Sequence, residues 1–208
     1  MKKSILCVCI LFICFFSAVA VYAVTLNNDA KQIKEGVLRF HIVANSNTDA
    51  DQQLKLKVRD GIADYCSELF NGLNDKSQAI KIANNNIDSL KLRAEQILKQ
   101  NGCNSDVTVC VRERFFPTKS YEGVSLPAGV YDTLDIKIGA AEGRNFWCVM
   151  FPDICLSSSS AITNKQKLSG VLSGDSLKIA TNNTSRRVRF KFKTIELVQT
   201  IKNKVKPK

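Results

Sequence analysis

The change in hydrophobic period between one strand-like segment and the two stretches after it limits the fold more than any other feature. Residues 37–44 alternate apolar and polar side chains, with Arg39 and His41 on the polar side, which predicts a half-buried strand. Apolar residues then recur every three to four positions, which predicts helices over about 48–71 and 77–99. A strand with one apolar face and two helices with one apolar stripe each can bury these surfaces against one another.

Three more strands are predicted after the helices, and together they define the fold class. Val107 begins an alternating stretch that runs to Phe115, residues 134–138 alternate again, and residues 146–150 form a short apolar run. The order is strand, two helices, three strands, rather than a regular βαβα series. The sequence therefore predicts an α+β domain in which two helices pack on a small, mainly antiparallel sheet in two layers.

The N-terminal segment predicts export. Lys2 and Lys3 precede an uncharged apolar run over residues 5–22, which is typical of a secretory signal. Cleavage fits after Ala20 or Ala23, and the run is also close to the roughly 20 residues that an uncleaved anchor needs. Either outcome places the remainder of the chain outside the membrane that it crosses.

Charge divides the chain into a nearly neutral body and a basic end. Residues 161–208 carry a balance of +10, whereas everything before carries +1. The expected organisation is a signal or anchor over residues 1–23, one globular domain over 37–156, a polar linker over 157–185 and a flexible basic tail over 186–208. For an exported tail the expected partner is anionic lipid or cell-wall polymer rather than nucleic acid, and a solvated end without a partner is the alternative.

Five of the eight cysteines lie beyond the predicted signal, and two of them favour a disulfide. Cys148 and Cys155 are separated by six residues that include Pro152, which turns the chain. In an oxidising compartment a bridge between them would fix the end of the last strand, and free buried thiols are the alternative. Cys66 lies on an apolar helix face and is expected to be a small core residue.

No residue pattern indicates catalysis or a metal site. His41 is the only histidine, and the motifs of serine hydrolases, zinc proteases and nucleotide-binding loops are all missing from the sequence. Acidic residues such as Asp135 could be proposed as catalytic pairs, but they fit solvated faces equally well. No cofactor is predicted, and the chain is not expected to be an enzyme.

Five blocks of the sequence, in this order, resemble the stage II sporulation protein R family of endospore-forming bacteria. They are Leu38–Ser46, Leu54–Asp60, Phe116–Lys119, Leu126–Tyr131 and Gly143–Cys155. The last block, with Trp147 between Phe146 and Cys148, is the most specific. Phe146 and Asp153 depart from that family's usual tryptophan and proline, but both cysteines and Pro152 are kept.

The resemblance implies a signalling role. Members of that family are exported from the forespore into the space between two membranes. There they activate a membrane-embedded aspartic protease in the facing membrane, which processes the precursor of sigma factor E. The alternatives are a secreted enzyme that acts on the cell wall and a structural protein that binds membrane or wall.

Part of the resemblance falls in a loop region that is a candidate contact surface for such a protease. Aromatic side chains there are suited to anchoring a partner, and filling the core is the alternative for Phe116 and Tyr121. The candidate contact residues are Phe116, Lys119, Tyr121, Pro127 and Tyr131.

Overall fold

The computed structural model describes residues 2–154 and 160–181. In chain order its elements are α1 (Lys2–Gly36), β1 (Leu38–Val43), α2 (Asp49–Leu69), α3 (Lys76–Asn85), α4 (Ile87–Gln100), β2 (Val107–Phe116), β3 (Lys119–Tyr121), β4 (Val124–Leu126), β5 (Gly129–Ile138), β6 (Asn145–Phe151), α5 (Ala161–Ser169) and α6 (Gly174–Thr181).

The main sheet has four strands in the order β2-β5-β1-β6. Strand β1 runs parallel to β5, whereas the β1–β6 and β2–β5 pairs are antiparallel. Strands β3 and β4 form a separate antiparallel hairpin. The predicted α+β class with a mainly antiparallel sheet is confirmed, and the hairpin is an addition that the sequence patterns did not indicate.

Helices α2, α3 and α4 cover the first face of the sheet. Leu38, Phe40 and Ile42 point into this layer and are fully buried against helix residues such as Val58 and Leu90. Thr48 caps α2, as its position predicts, by accepting a hydrogen bond from the backbone N–H of Asp51. Cys66 is buried in the same core, as expected.

The second predicted helix is divided at Asn86. The Asn86 backbone N–H bonds to Ala83 O at 3.1 Å, and its side chain bonds to Ile82 O at 2.8 Å. These bonds end α3 at Asn85, and α4 begins at Ile87. The apolar spacing continues across the break, so periodicity alone could not reveal it.

The second face of the sheet is also covered, which corrects the prediction that β1 is half-buried. All six β1 residues are buried, and Arg39 and His41 have no exposed surface. A second apolar cluster lies on this side, containing Ile33 of α1, Leu126 of β4 and Ile179 of α6. The polar alternation of β1 therefore marks a polar interior and not a solvated face.

Helices also form in two segments on either side of the predicted 37–156 domain. Residues 24–36, which lie between the predicted signal and the predicted domain, are the last turns of α1, with Ala30 and Ile33 buried. Within the predicted 157–185 linker, the described residues form α5 and α6, and Leu168 and Ile179 are buried. A few apolar residues in each of these short helices are enough to pack it against a core formed by the rest of the chain. The 186–208 tail lies outside the described residues.

Among the residues searched in the described part of the chain, no helix is both long and apolar enough to cross a membrane.

A tight corner fixes the two loops at the end of β1. The Asn45 side chain accepts a hydrogen bond from the Ala140 N–H at 3.0 Å and donates one to Asp51 at 2.9 Å. Gly139 has a φ of +55° and packs directly on Asn45, and a Cβ at Gly143 would collide with Ser46 O. This corner holds the start of β6, and therefore Asn145, beside the end of β1.

Candidate functional site: two buried polar groups on one face of the sheet

The second face of the sheet carries its polar residues in rows that cross the strands. Pairing places Cys110 of β2 beside Asp135 of β5, Asp135 beside His41 of β1, and His41 beside Trp147 of β6. We call these four residues the histidine row. Because directly paired residues point to the same face, the row brings together side chains that are more than 100 residues apart in the chain.

His41 is held on two sides and covered on a third. Its Nδ1 lies 2.5 Å from Oδ1 of Asp135, and its Nε2 lies 2.8 Å from the side-chain oxygen of Asn145. The Trp147 ring packs on the imidazole with 4.2 Å between ring centroids. An ionised carboxylate only accepts, so Nδ1–H donates to Asp135. The histidine is thus fixed in orientation and shielded from solvent.

Asp135 is the centre of a charge network and does not lie on a solvated face. Its side chain is 1 % exposed, and its second oxygen accepts from Arg112 and, at 3.1 Å, from Arg114. Burial alone would raise the pKa of Asp135, but the His41 hydrogen bond and the two arginine charges outweigh burial and lower the pKa to about 2. The carboxylate is therefore charged at neutral pH.

Arg39, two residues before His41 on the same face, is buried and has no carboxylate partner among the described residues. Its guanidinium carbon lies 4.1 Å from the centre of the Phe116 ring, 5.0 Å from that of Tyr131 and 5.6 Å from that of Tyr121. We call Arg39 and these three rings the arginine cage. Nε donates to Cys148 O at 2.9 Å and Nη2 to the Tyr121 hydroxyl at 2.6 Å. Ring faces and neutral oxygens replace water around the charge.

The candidate contact residues converge, but most of them point inward. Phe116 is fully buried and Tyr131 is 1 % exposed, both as walls of the arginine cage. Pro127 is buried too, and its carbonyl accepts from the Tyr131 hydroxyl at 2.6 Å. Burial raises the pKa of Tyr131, with Arg39 opposing the rise, so the phenol keeps its proton. Lys119 and Tyr121, on β3, are half-buried.

This burial changes what the five residues can contribute. A partner could touch Lys119 and Tyr121 on the folded domain, whereas Phe116, Pro127 and Tyr131 support the fold beneath them. Their aromatic and proline character suited either role, and only the second layer over the sheet decides between the two.

The geometry around His41 does not assemble a nucleophile for catalysis. In the histidine row, Asp135 stands between Cys110 and His41, so the thiol and the imidazole are two strands apart. Both imidazole nitrogens already have partners. Activation of a thiol by a histidine acting as the general base requires hydrogen-bond contact between the two groups. Within residues 2–154 and 160–181, no group of three or more metal-ligating side chains is close enough to hold an ion.

The predicted Cys148–Cys155 disulfide stays a prediction, because Cys155 lies outside the described residues. Cys148 is buried in the first core on β6, close to the chain turn at Pro152.

Burial, assisted by Asp153, raises the pKa of Cys66 to about 12, so this thiol stays protonated in the folded domain.

The strands that build both polar groups fall within a recognised family region. The family model for stage II sporulation protein R matches residues 34–161, which contain the histidine row and the arginine cage. The chain belongs to the stage II sporulation protein R family. A relative from Bacillus subtilis (strain 168), named stage II sporulation protein R, is 30 % identical over 161 residues, covering 74 % of this chain and 71 % of the relative. No solved structure matches the chain.

Membership in the stage II sporulation protein R family assigns this chain to sporulation. The matched region ends at residue 161, so α6 and nearly all of α5 lie beyond it. Sequence reasoning missed the Arg39 cage and the partners of Asp135. The one available signal was the placement of Arg39, His41 and Asp135 on the polar side of alternating strands. That placement does not indicate whether a second layer covers this side.

Proposed function

We propose that this chain is an exported sporulation signal that activates a membrane-embedded aspartic protease in the facing membrane. Activation of that protease leads to processing of the precursor of sigma factor E. The observation that carries the proposal is the family match over residues 34–161, together with the 30 % identical relative from Bacillus subtilis.

Two features of the chain support a binding role on the far side of a membrane. The basic start and apolar run of residues 2–22 are the features of a secretory signal. The sole histidine is fully buried and both of its ring nitrogens are engaged, an arrangement that suits structure better than turnover. The forespore is the compartment from which we expect export, and the space between the two membranes is the destination.

The test is complementation in the organism that carries this chain. Deletion of the gene is expected to leave the sigma factor precursor unprocessed on an immunoblot, and the full chain is expected to restore the mature form. A chain that begins at residue 24 with an added methionine is the matched control. It keeps the domain but lacks the export segment, so it is expected not to restore processing.

Normal processing in the deletion strain would refute the proposed function. Restoration by the control chain at wild-type level would instead refute the requirement for export. Digestion of peptidoglycan by the purified chain, lost in His41→Ala, would favour the cell-wall enzyme in its place.

A further inference from the structure

Strand β2 offers an open backbone edge. It is an outer strand of the four-stranded sheet, and all ten of its residues pair with β5 on one side. In the described part of the chain, no other backbone hydrogen bond involves β2. The N–H and C=O groups along its other side can therefore pair with an added strand.

At the opposite edge of the sheet, local contacts engage two backbone carbonyls. On β6, the carbonyl of Val149 accepts from the Ile154 N–H at 3.4 Å, and the carbonyl of Trp147 accepts from the Tyr121 hydroxyl at 3.3 Å. The chain turn after β6 and the β3–β4 hairpin thus occupy backbone positions there. This contrast singles out β2 as the edge where a further strand would find unpaired backbone.

The middle of β2 carries alternating charges on alternating faces. Arg112 and Arg114 point to the second face, where they share one oxygen of Asp135, and Arg112 is 42 % exposed. Arg114 Nε is buried and has no hydrogen-bond partner among the described residues. Glu113, between them, points to the first face and is exposed. A single carboxylate serves two guanidinium groups, which leaves an excess of positive charge on the second face.

An added strand places its side chains directly opposite those of β2, on the same faces. The matching segment therefore has an acidic residue on each side of a basic one, so that acids meet Arg112 and Arg114 while the base meets Glu113. A second copy of this chain does not match in the register centred on Glu113. That register sets Arg112 of one copy against Arg114 of the other and Glu113 against Glu113, and like charges opposite each other destabilise pairing.

We propose that the outer edge of β2 binds an extended acid–base–acid segment of a partner protein by strand addition. The inference deepens the proposed function, and it rests on that function for the identity of the protein that supplies the segment. Backbone hydrogen bonds supply affinity, and the Arg112–Glu113–Arg114 series selects the charge pattern and register.

Binding can be measured with synthetic peptides and the full chain in detergent. One labelled peptide has the sequence Thr-Val-Glu-Lys-Glu-Val-Thr, and a second replaces the central triplet with Lys-Glu-Lys. By fluorescence anisotropy the first is expected to bind at least about threefold more tightly than the second, because all three cross-strand charge pairs change sign. Equal dissociation constants, or no binding of either peptide, would overturn the proposal.

A charge swap tests the register. Glu113→Lys is expected to weaken binding of the Glu-Lys-Glu peptide by about threefold and to improve binding of a Glu-Glu-Glu peptide, because the middle pair is inverted and then restored. Arg93→Glu, at an exposed position on α4, is the matched control and is expected to leave both affinities unchanged. Circular dichroism verifies the fold of each variant. Equal effects of the two substitutions would refute selection by the edge.

Complementation separates this inference from the proposed function. If the wild-type chain restores precursor processing and Glu113→Lys does not, both are supported. If Glu113→Lys restores processing as well as wild type, β2 is not the partner edge, and the signalling function stands. Failure of the wild-type chain itself refutes the signalling function, while the peptide affinities still decide whether the edge binds.

Discussion

Arg39 and His41 lie two residues apart on one face of β1, yet their buried side chains are accommodated in different ways. Arg39 has aromatic rings and neutral oxygens around it, under the second layer formed by α1, the β3–β4 hairpin and α6. His41 has a carboxylate, Asp135, whose arginine partners reach the solvent. Where the second layer excludes water, aromatic ring faces surround the charge of Arg39. Where that layer ends, oppositely charged groups around Asp135 neutralise one another instead.

Removal of the Arg39 side chain is expected to have the largest effect on stability. Arg39→Ala would leave a cavity among three aromatic rings and remove two buried hydrogen bonds, lowering the free energy of unfolding by about 3–5 kcal/mol. Arg39→Met fills much of the same volume without a charge and is expected to cost about 1 kcal/mol or less. Urea unfolding followed by Trp147 fluorescence measures both. An Arg39→Ala variant as stable as Arg39→Met would show that the rings do not depend on the guanidinium for packing.

Asp135→Asn tests the ionic network around Asp135. It is expected to lower the free energy of unfolding by somewhat less than Arg39→Ala does, about 2–3 kcal/mol. The change keeps the shape but leaves His41 and two arginines without their shared carboxylate, and the exposure of Arg112 softens the loss. Asp132→Asn on the same strand is the matched control, because Asp132 pairs with Lys76 near the surface and is expected to contribute below about 1 kcal/mol. Equal losses in the two variants would remove the distinction between buried and surface carboxylates on β5.

The lowered pKa of Asp135 predicts an acid-sensitive contribution to stability. Its folded-state pKa of about 2 lies below the ordinary value of 3.8, so the contribution is present above pH 3.8 and is lost as the pH falls from 3.8 towards 2. The loss is about 2 kcal/mol. The free energy of unfolding, measured across this pH range, should fall more steeply for wild type than for Asp135→Asn. Parallel curves would contradict the network.

The thiol reactivities of Cys66 and Cys110 distinguish the buried core from the half-buried end of the histidine row. Cys66 is fully buried with its pKa raised to about 12, whereas Cys110 is half-buried on the second face. Under native conditions at pH 8, iodoacetamide is expected to label Cys110 well before Cys66. Mass spectrometry of peptides after timed labelling measures both rates, and a denatured sample gives the rates without burial. Labelling of Cys66 first in the folded chain would contradict its place in the core.

The predicted Cys148–Cys155 disulfide has the smallest expected effect, since it would close only a short loop at the end of β6. The peptide containing both residues is expected to gain about 2 Da on reduction. Two freely alkylated thiols in the unreduced protein would rule the bridge out.

Much of the fold could be predicted because local patterns report local structure. Thr48 and the apolar spacing after it marked α2, and alternation marked β1, β2 and β5, because a side chain's direction follows from its position along a strand or helix. The break at Asn86 and the seating of α5 could not be predicted, since both depend on side-chain bonds and on a core built elsewhere.

For the site, the sequence placed Arg39, His41 and Asp135 on the polar sides of their strands. It did not predict that these sides are buried or which residues contact them. Whether a polar side faces water depends on what lies over it, and that is fixed by contacts between distant residues. Arg39 and Tyr121 illustrate this, because they are 82 positions apart and their hydrogen bond exists only once the hairpin has folded back.

The sequence by itself determined the α+β class, the export-like start and the family of this chain, because each depends on the order and spacing of residues. Only the tertiary structure decided that the polar face of β1 is interior, that Phe116 and Tyr131 support Arg39, and that the outer edge of β2 is unpaired within residues 2–154 and 160–181. The physical reason is that burial and strand pairing are properties of surfaces brought together by folding, and no local segment contains both surfaces.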